Sequence, residues 1–391
     1  MPGFEEDLRA RLGEIEAQNL RRVLRRIDSP QQPRSVVAGR EVLNFSSNDY
    51  LGLAMHPQVR EAAAKAARDF GAGSGASRLI SGSLAAHHEL EEALAEFKGT
   101  ERALVFSTGY ATALGTIAAL VSAGDIVVID KLAHASIVDG ARLSGAKLRV
   151  FNHNDVSDLE KILGWAEGQR AASSKTRVLI VTESLFSMDG DVAPLREIVE
   201  LKERFGAWLM IDEAHATGLF GQNRCGLVEE FGLRGRVEVQ MGTLGKALGS
   251  AGGYIAGAAV LVDYLVNRAR SFIFSTAPPP AVSAASRAAI RIVRSGEGNE
   301  LVNRLRRNIL QFCRESGIAP AAENSPIVPM QIGAEEDAVK IAAKLLDAGF
   351  FAPAIRYPTV ARGQARLRFS FSAAHMPEDI SALTAALKSL G

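Results

Sequence analysis

The chain has 391 residues, 47% of them hydrophobic, enough for a large core and at least two domains. Its 45 basic and 44 acidic residues leave a formal charge of +1, which removes the electrostatic case for a nucleic-acid or anionic-membrane partner. Two cysteines, Cys225 and Cys313, are too few for a disulfide framework or a cysteine-based metal site and suit a reducing compartment. The N-terminal stretch is charged from the start, with no signal-peptide core, and no apolar run reaches the roughly 18 residues of a membrane span. A soluble, cytoplasmic protein without a metal is expected.

Apolar groups at Leu8, Leu12, Ile15, Leu20 and Leu24 predict an amphipathic helix over 5–27, carrying a basic cluster of Arg21, Arg22, Arg25 and Arg26. A polar, proline-containing link over 29–34 follows, and residues 1–55 read as an N-terminal helix and arm. The glycine-rich run Gly71–Arg78 superficially suggests a dinucleotide loop, but it follows a helical stretch (61–70), not a strand. It reads instead as a flexible loop where backbone must approach a ligand or neighbour closely. Short apolar runs then alternate with helical stretches: Ala103–Phe106, Ile126–Asp130, Leu148–Phe151, Val178–Glu183, Trp208–Asp212, Val237–Gly242 and Gly253–Gly257. Near-continuous apolar strands separated by helices predict an α/β fold with a mainly parallel seven-stranded sheet, in a large domain over 56–285. Pro278-Pro279-Pro280 marks a break or the start of a new helix. Beyond it come a long helical pattern (281–316), strand-like 327–332, a helix over 335–348, strands near 351–356 and 366–372, and a closing helix over 377–390. Residues 286–391 are expected to form a smaller α+β domain.

Chemistry concentrates where apolar runs end. Leu209-Met210-Ile211-Asp212-Glu213-Ala214-His215 reads as a buried strand that delivers an acid and a histidine to its carboxyl edge, where ligands sit in parallel α/β sheets. The run Val237–Met241 leads to Gly242-Thr243-Leu244-Gly245-Lys246, an isolated lysine among small residues. A strand-end Asp often only caps a helix, and a Lys after Gly is often a loop residue. A Walker phosphate loop is excluded, because Gln240 stands in the motif and Ala247 follows Lys246. In this order and spacing the residues make up the protein's share of a pyridoxal-phosphate (PLP) site. That cofactor needs an amine for a Schiff base and a carboxylate to keep its pyridine nitrogen protonated. Thr108-Gly109-Tyr110 opens a helix after a strand, which is a phosphate seat made of backbone N–H groups. His134 lies just past another strand end, where its ring could stack on a cofactor.

With these blocks in order, the chain resembles the α-oxoamine synthases, fold-type I PLP enzymes that join an amino acid to an acyl thioester with loss of CO2. The resemblance also covers Ser46–Leu53, Ser81-Gly82-Ser83, Ser187–Asp191, Phe274–Pro278, Ala365–Arg368 and Ser372–His375. It implies that Lys246 carries the cofactor and later removes the Cα proton, that Asp212 pairs with the pyridine nitrogen, that His215 bonds the ring oxygen and that His134 stacks on the ring. It implies phosphate contacts from Gly109, Tyr110 and Thr243, completed by Thr276 of a second subunit, so that a homodimer with shared sites is expected. Ser187 is placed near the reacting carbonyl, and Arg368 with Asn48 on the amino-acid carboxylate. Thr359 and Arg22, or its neighbour Arg21, are placed on the substrate. The expected substrates are L-alanine and a pimeloyl group on CoA or an acyl-carrier protein; sister members taking glycine or serine are the alternative. Two departures from the family pattern, Ala76 for Gly and Tyr357–Ala361 for Pro-Pro-Thr-Val-Pro, bear on substrate choice. In the strand pattern Arg366–Phe371, alternation puts Arg366, Arg368 and Ser370 on one face, and a surface stripe would account for Arg366.

Overall fold

The structure, a computed structural model, describes residues 3–172 and 175–390. They fall into two compact units: Leu51–Ser187 with Asp191–Val302, and the segment through Tyr50 with Met188–Gly190 and the residues from Asn303 onward. The N-terminal arm therefore groups with the C-terminal residues.

Thirteen strands among the described residues form three sheets: β1 (Arg34–Val37), β2 (Arg40–Asn44), β3 (Arg102–Phe106), β4 (Ile126–Asp130), β5 (Lys147–Phe151), β6 (Val178–Glu183), β7 (Trp208–Asp212), β8 (Val239–Thr243), β9 (Gly253–Gly257), β10 (Ile327–Gly333), β11 (Phe350–Phe351), β12 (Ala354–Ile355) and β13 (Ala365–Ser370). The larger unit is built on a seven-stranded sheet in the order β3-β9-β8-β7-β6-β4-β5. From β8 to β5 the strands are parallel, and β9 runs antiparallel to both its neighbours. These are the seven apolar runs of the sequence. Every residue of β4, β6 and β9 is buried, so these strands are covered on both faces and tolerate a charged side chain only at their ends, whereas the edge strand β5 is partly exposed and carries Arg149 in its middle. One face is packed by Ala113 and Ile117 from the helix Gly109–Leu120, Ile137 and Ala141 from Ala135–Ser144, and Val262 and Leu265 from Ala259–Arg268.

The smaller unit carries the sheets β1-β2-β11 and β10-β13-β12. β13 pairs antiparallel with β10 over Ile327↔Ser370 to Gln331↔Arg366.

Three elements differ from the sequence expectation. The first helix spans Phe4–Ala17, not 5–27. Asn19 takes a left-handed conformation (φ 56°), and bonds from Asn19 N–H to Glu16 O and from Leu20 N–H to Ile15 O close the end as a Schellman motif. The helical pattern over 281–316 divides into Pro280–Arg294 and Gly296–Ser316, because Ser295 is extended and Gly298 lies against the Val293 carbonyl, where a Cβ would collide. The strand expected near 351–356 is two short strands in different sheets, β11 beside β2 and β12 beside β13, with Pro353 between them unable to donate to a ladder.

Within the larger unit, the fully buried ammonium of Lys98 donates to the Glu213 carboxylate and the Cys225 carbonyl, while the other Glu213 oxygen accepts the Val228 N–H at 2.8 Å. Burial, the largest single influence, lowers the Lys98 pKa, but the attraction and hydrogen bond of Glu213 together with Tyr254 and Cys225 outweigh it and the pKa rises. This pair pins the turn that leaves β7. Replacing Lys98 with Met should lower the unfolding free energy by about 3–5 kcal/mol, because Glu213 stays buried without its counter-charge. Adding Glu213→Gln should recover much of that loss. Urea denaturation followed by circular dichroism checks both, and a single-mutant loss below about 1 kcal/mol would mean that the pair is not held as described.

Candidate active site

In the larger unit, the carboxyl ends of four neighbouring parallel strands deliver polar groups to one edge. β7 ends in Asp212, whose Oδ1 accepts the Ala214 N–H at 2.8 Å. That local bond and the Ala216 N–H and Thr217 N–H bonds to Glu213 O, at 2.9 and 2.8 Å, curl the chain so that His215 follows within one turn. β8 ends in Thr243, and Lys246 stands in the loop after it. This loop is closed by Leu244 N–H to Gly252 O (3.0 Å) and Ser250 N–H to Leu244 O (2.9 Å). Lys246 Nζ lies 2.9 Å from His215 Nε2, so the sequence-predicted lysine and histidine are in hydrogen-bond contact.

After β4, His134 caps the helix Ala135–Ser144, its Nδ1 accepting the Ser136 N–H at 3.2 Å and lying 2.8 Å from Ser136 Oγ. Burial lowers the His134 pKa; the Asp212 charge raises it and the Lys246 charge lowers it further. The ring is therefore held neutral in the neighbourhood of both Asp212 and Lys246. At the opening of the helix Gly109–Leu120, Thr108 Oγ1 accepts the Ala111 N–H at 3.0 Å. A Cβ on Gly109 would come within 2.5 Å of Thr243 Cγ2, and one on Gly253 within 2.8 Å of Gly109 Cα, so glycine at both positions lets the helix start close onto β8 and β9. The Thr243 hydroxyl is buried there and has no hydrogen-bond partner among the described residues. The side chain of Tyr110 is turned to Asp139, to which its hydroxyl donates. Thr276 is exposed, in an antiparallel bridge with Ser77; Ala277 N–H bonds Ala76 O at 3.0 Å, so the glycine-rich loop and the segment after Phe274 are tied within one chain.

The sequence reading missed Glu183. It ends β6, is buried, and is the registered partner of Asp212 on β7. Its Oε1 accepts the His134 N–H at 2.8 Å, and it also receives the Ser187 N–H. Its pKa is raised to about 8, first by burial and next by Asp212, with Lys246 opposing. The run Val178–Thr182 ending in an acid repeats the pattern that drew attention to Asp212, and that was its available signal.

In the smaller unit, Arg368 on β13 is buried. It donates to Ser370 Oγ (2.6 Å), Asn48 Oδ1 (3.2 Å) and Tyr50 Oη (3.3 Å), and Tyr50 Oη also donates to Asn48 Oδ1 at 3.1 Å. The predicted pair Asn48 and Arg368 is thus assembled, with Tyr50 as an unforeseen third member. Burial raises the Tyr50 pKa and keeps the phenol neutral. Arg366 is not part of a surface stripe: all six residues of β13 are buried, and Arg366 forms an ion pair with Asp189 at 2.5 Å. Arg22 reaches the Tyr357 carbonyl and Thr359 Oγ1, both at 3.4 Å, which brings that predicted pair together at the surface, while Arg21 is engaged with Glu16 at 2.7 Å.

A lysine amine against an imidazole, a buried carboxylate beside them and an unfilled hydroxyl at a helix start form an arrangement that can hold a ring carrying an anionic group and exchange protons next to it. The family profile of aminotransferase class I and II matches residues 40–387. The 8-amino-7-oxononanoate synthase of Geobacter sulfurreducens is 48% identical over 383 residues, 97% of this chain and 96% of that one. That of Methylococcus capsulatus is 48% identical over 380 residues, 96% of each chain. Among solved structures, serine palmitoyltransferase from S. paucimobilis with a bound PLP–myriocin aldimine superposes with a TM-score of 0.90 at 31% identity, over 99% of this chain and 97% of that one. The 8-amino-7-oxononanoate synthase of Francisella tularensis superposes with a TM-score of 0.73 at 28% identity, over 89% and 98%. With profile, relatives and structures in agreement, the chain belongs to the aminotransferase class I and II family and, within it, to the α-oxoamine synthases.

Proposed function

We propose that this chain joins L-alanine to a pimeloyl thioester, with release of CO2 and the thiol, to give 8-amino-7-oxononanoate for biotin synthesis. The chain is a PLP-dependent acyltransferase. Similarity to 8-amino-7-oxononanoate synthases carries this reading, and within the site the cofactor's part in it is supported by the buried, unpartnered Thr243 hydroxyl against the start of the helix Gly109–Leu120. A hydroxyl and helix-start N–H groups together suit an anion, and the phosphate of PLP fits that seat.

In this assignment Gly109, Tyr110 and Thr243 hold the phosphate, Asp212 the protonated pyridine nitrogen, His215 the ring oxygen and His134 the ring face, while the Lys246 nitrogen provides the covalent attachment. When bound, PLP supplies an electron sink for negative charge at the amino acid's Cα. Lys246 takes the Cα proton, with the His215 imidazole 2.9 Å away as its partner. Arg368, oriented by Asn48, Tyr50 and Ser370, receives the amino-acid carboxylate as a planar two-bond fork. Ser187 contacts the substrate near the reacting carbonyl, and Arg22 with Thr359 meets the acyl donor, on CoA or a carrier protein. A second copy of the chain supplies Thr276. Ile80, 81% exposed, and Phe274, 69% exposed, suit burial in that dimer. A cytoplasmic location fits the reaction, and no described helix is long and apolar enough to cross a membrane.

A serine-using sister is the second reading, because a serine palmitoyltransferase gives a TM-score of 0.90 against 0.73 for the Francisella synthase. Backbone similarity weighs less here than identity, since side chains decide which amino acid fits, and identity is 48% against 31%.

The activity is tested by offering alanine, glycine and serine with pimeloyl-, acetyl-, succinyl- and palmitoyl-CoA while CO2 and free thiol are counted. Alanine with pimeloyl-CoA should dominate, with one CO2 and one thiol per turnover. Preference for serine and palmitoyl-CoA would establish the sister reading, and turnover without CO2 would reject both.

Thr243→Ala should leave the PLP-free protein within about 0.5 kcal/mol of the parent in stability, because the hydroxyl makes no bond there. It should weaken PLP binding by about 1.5–3 kcal/mol, the worth of a hydrogen bond to a charged group. Thermal unfolding and fluorescence titration read the two effects, and unchanged PLP affinity would remove Thr243 from the phosphate seat.

Arg368→Ala should weaken L-alanine binding by about 2–5 kcal/mol. Arg368→Lys should rescue it poorly, since a point charge cannot reproduce the fork, and affinity for the acyl donor should barely change. The spectral change on adding L-alanine gives the dissociation constant. A shift within about twofold, roughly 0.4 kcal/mol, would mean that the arginine does not bind the carboxylate.

A further inference from the structure

Glu183 has no place in the scheme above, yet it is buried to 2% exposure at the centre of the larger unit's polar edge. Its surroundings are fully specified. Asp212 is its registered neighbour on β7. The His134 N–H reaches its Oε1 at 2.8 Å, and the Ser187 N–H also bonds it. Lys246 acts on it electrostatically from the loop after β8. On its other side, β4 ends in Asp130, which is turned to His153 at 2.9 Å and to the Leu132 N–H at 2.7 Å. One side chain thus ties together the loop that presents His134 and the turn that presents Ser187, beside the carboxylate assigned to the cofactor nitrogen.

We propose that Glu183 is a positioning residue of this site, a carboxyl group that holds the His134 and Ser187 loops and carries the proton of the Glu183–Asp212 pair, leaving the negative charge on Asp212. Two acids side by side in a water-poor site do not both ionise, and the one with fewer compensating charges keeps its proton. Burial and the Asp212 charge push Glu183 upward, and they outweigh Lys246 and the His134 and Ser187 N–H bonds, which favour the carboxylate, so that its pKa is raised to about 8. Because the folded value lies above the ordinary 4.5, protonated Glu183 favours the folded state at low pH, and that contribution fades as pH rises from about 4.5 through 8. The proposal rests on the assignment of Asp212 to PLP, and the two can fail separately.

Glu183→Gln keeps the shape and the acceptor for the His134 N–H and is neutral at every pH, whereas Glu183→Ala removes the tie. On PLP-loaded protein, Glu183→Gln should leave the pH midpoint of the cofactor's visible absorbance within about 0.3 unit and PLP affinity within about twofold. Glu183→Ala should weaken PLP binding about tenfold or more, as expected when a buried N–H loses its acceptor. A midpoint moved by about one unit or more in Glu183→Gln would mean that Glu183 carries charge, and wild-type PLP affinity in Glu183→Ala would mean that it positions nothing; either overturns the proposal. Should the variants fail to fold, infrared spectroscopy of the wild-type holoenzyme decides: a protonated-carboxyl stretch at pH 6 that fades above about pH 8 is expected, and its absence overturns the proposal. Asp212→Asn separates the two readings. If that change leaves PLP binding intact, the assignment of Asp212 has failed, whatever Glu183 does.

Discussion

A sheet covered on both faces leaves few places for charge, and this constraint organises the larger unit. β4 and β6 are buried along their whole length, and β7 and β8 nearly so. Placing an ionised group mid-strand would cost several kcal/mol. Asp130, Glu183 and Asp212 therefore stand at carboxyl ends, where the chain turns away and loop N–H groups can answer the carboxylates: Leu132 for Asp130, His134 for Glu183 and Ala214 for Asp212. The same parallel arrangement brings Thr243 and Lys246 to that edge from β8.

With the charges gathered at one edge, electrostatic balance becomes the next requirement. Lys246 beside His215 faces Asp212 and Glu183, and a full charge on both acids would exceed what one lysine offsets. Glu213, directly after Asp212, has its own buried partner in Lys98. That pairing keeps a further negative charge from acting on the site without compensation, and it braces the turn from which His215 emerges. Charge state and geometry are thus set by the same side chains.

The smaller unit meets a related problem differently. Arg368 is buried, and its guanidinium donates to the oxygens of Ser370, Asn48 and Tyr50. These acceptors fix the orientation of the fork. Arg366, two residues away on the same face, is paired with Asp189 and so is spent structurally. Two arginines alike in sequence context differ in what faces them.

Much of this was legible in the chain itself. Strands of a largely covered sheet must be mostly apolar runs, so all seven strands of the large sheet, and the acid, histidine and lysine at their ends, stood out by local pattern. Boundaries set by non-local packing or by a single backbone angle did not. The left-handed Asn19 ends a helix whose apolar spacing continues to Leu24, and Gly298 lies against a carbonyl it meets only once the second helix has formed. Glu183 carried the same strand-end signal as Asp212, but its meaning depends on which strand lies next to β6, a matter of sheet order that local sequence does not encode. Likewise, nothing in Arg366-Leu367-Arg368 distinguishes the two arginines until Asp189 and Asn48 arrive from distant positions. The sequence alone determined which residue types end which elements, because periodicity and burial are local consequences of side-chain chemistry. Tertiary structure decided which of those residues face one another, and with that their charge, because electrostatic coupling depends on distance in space and not along the chain.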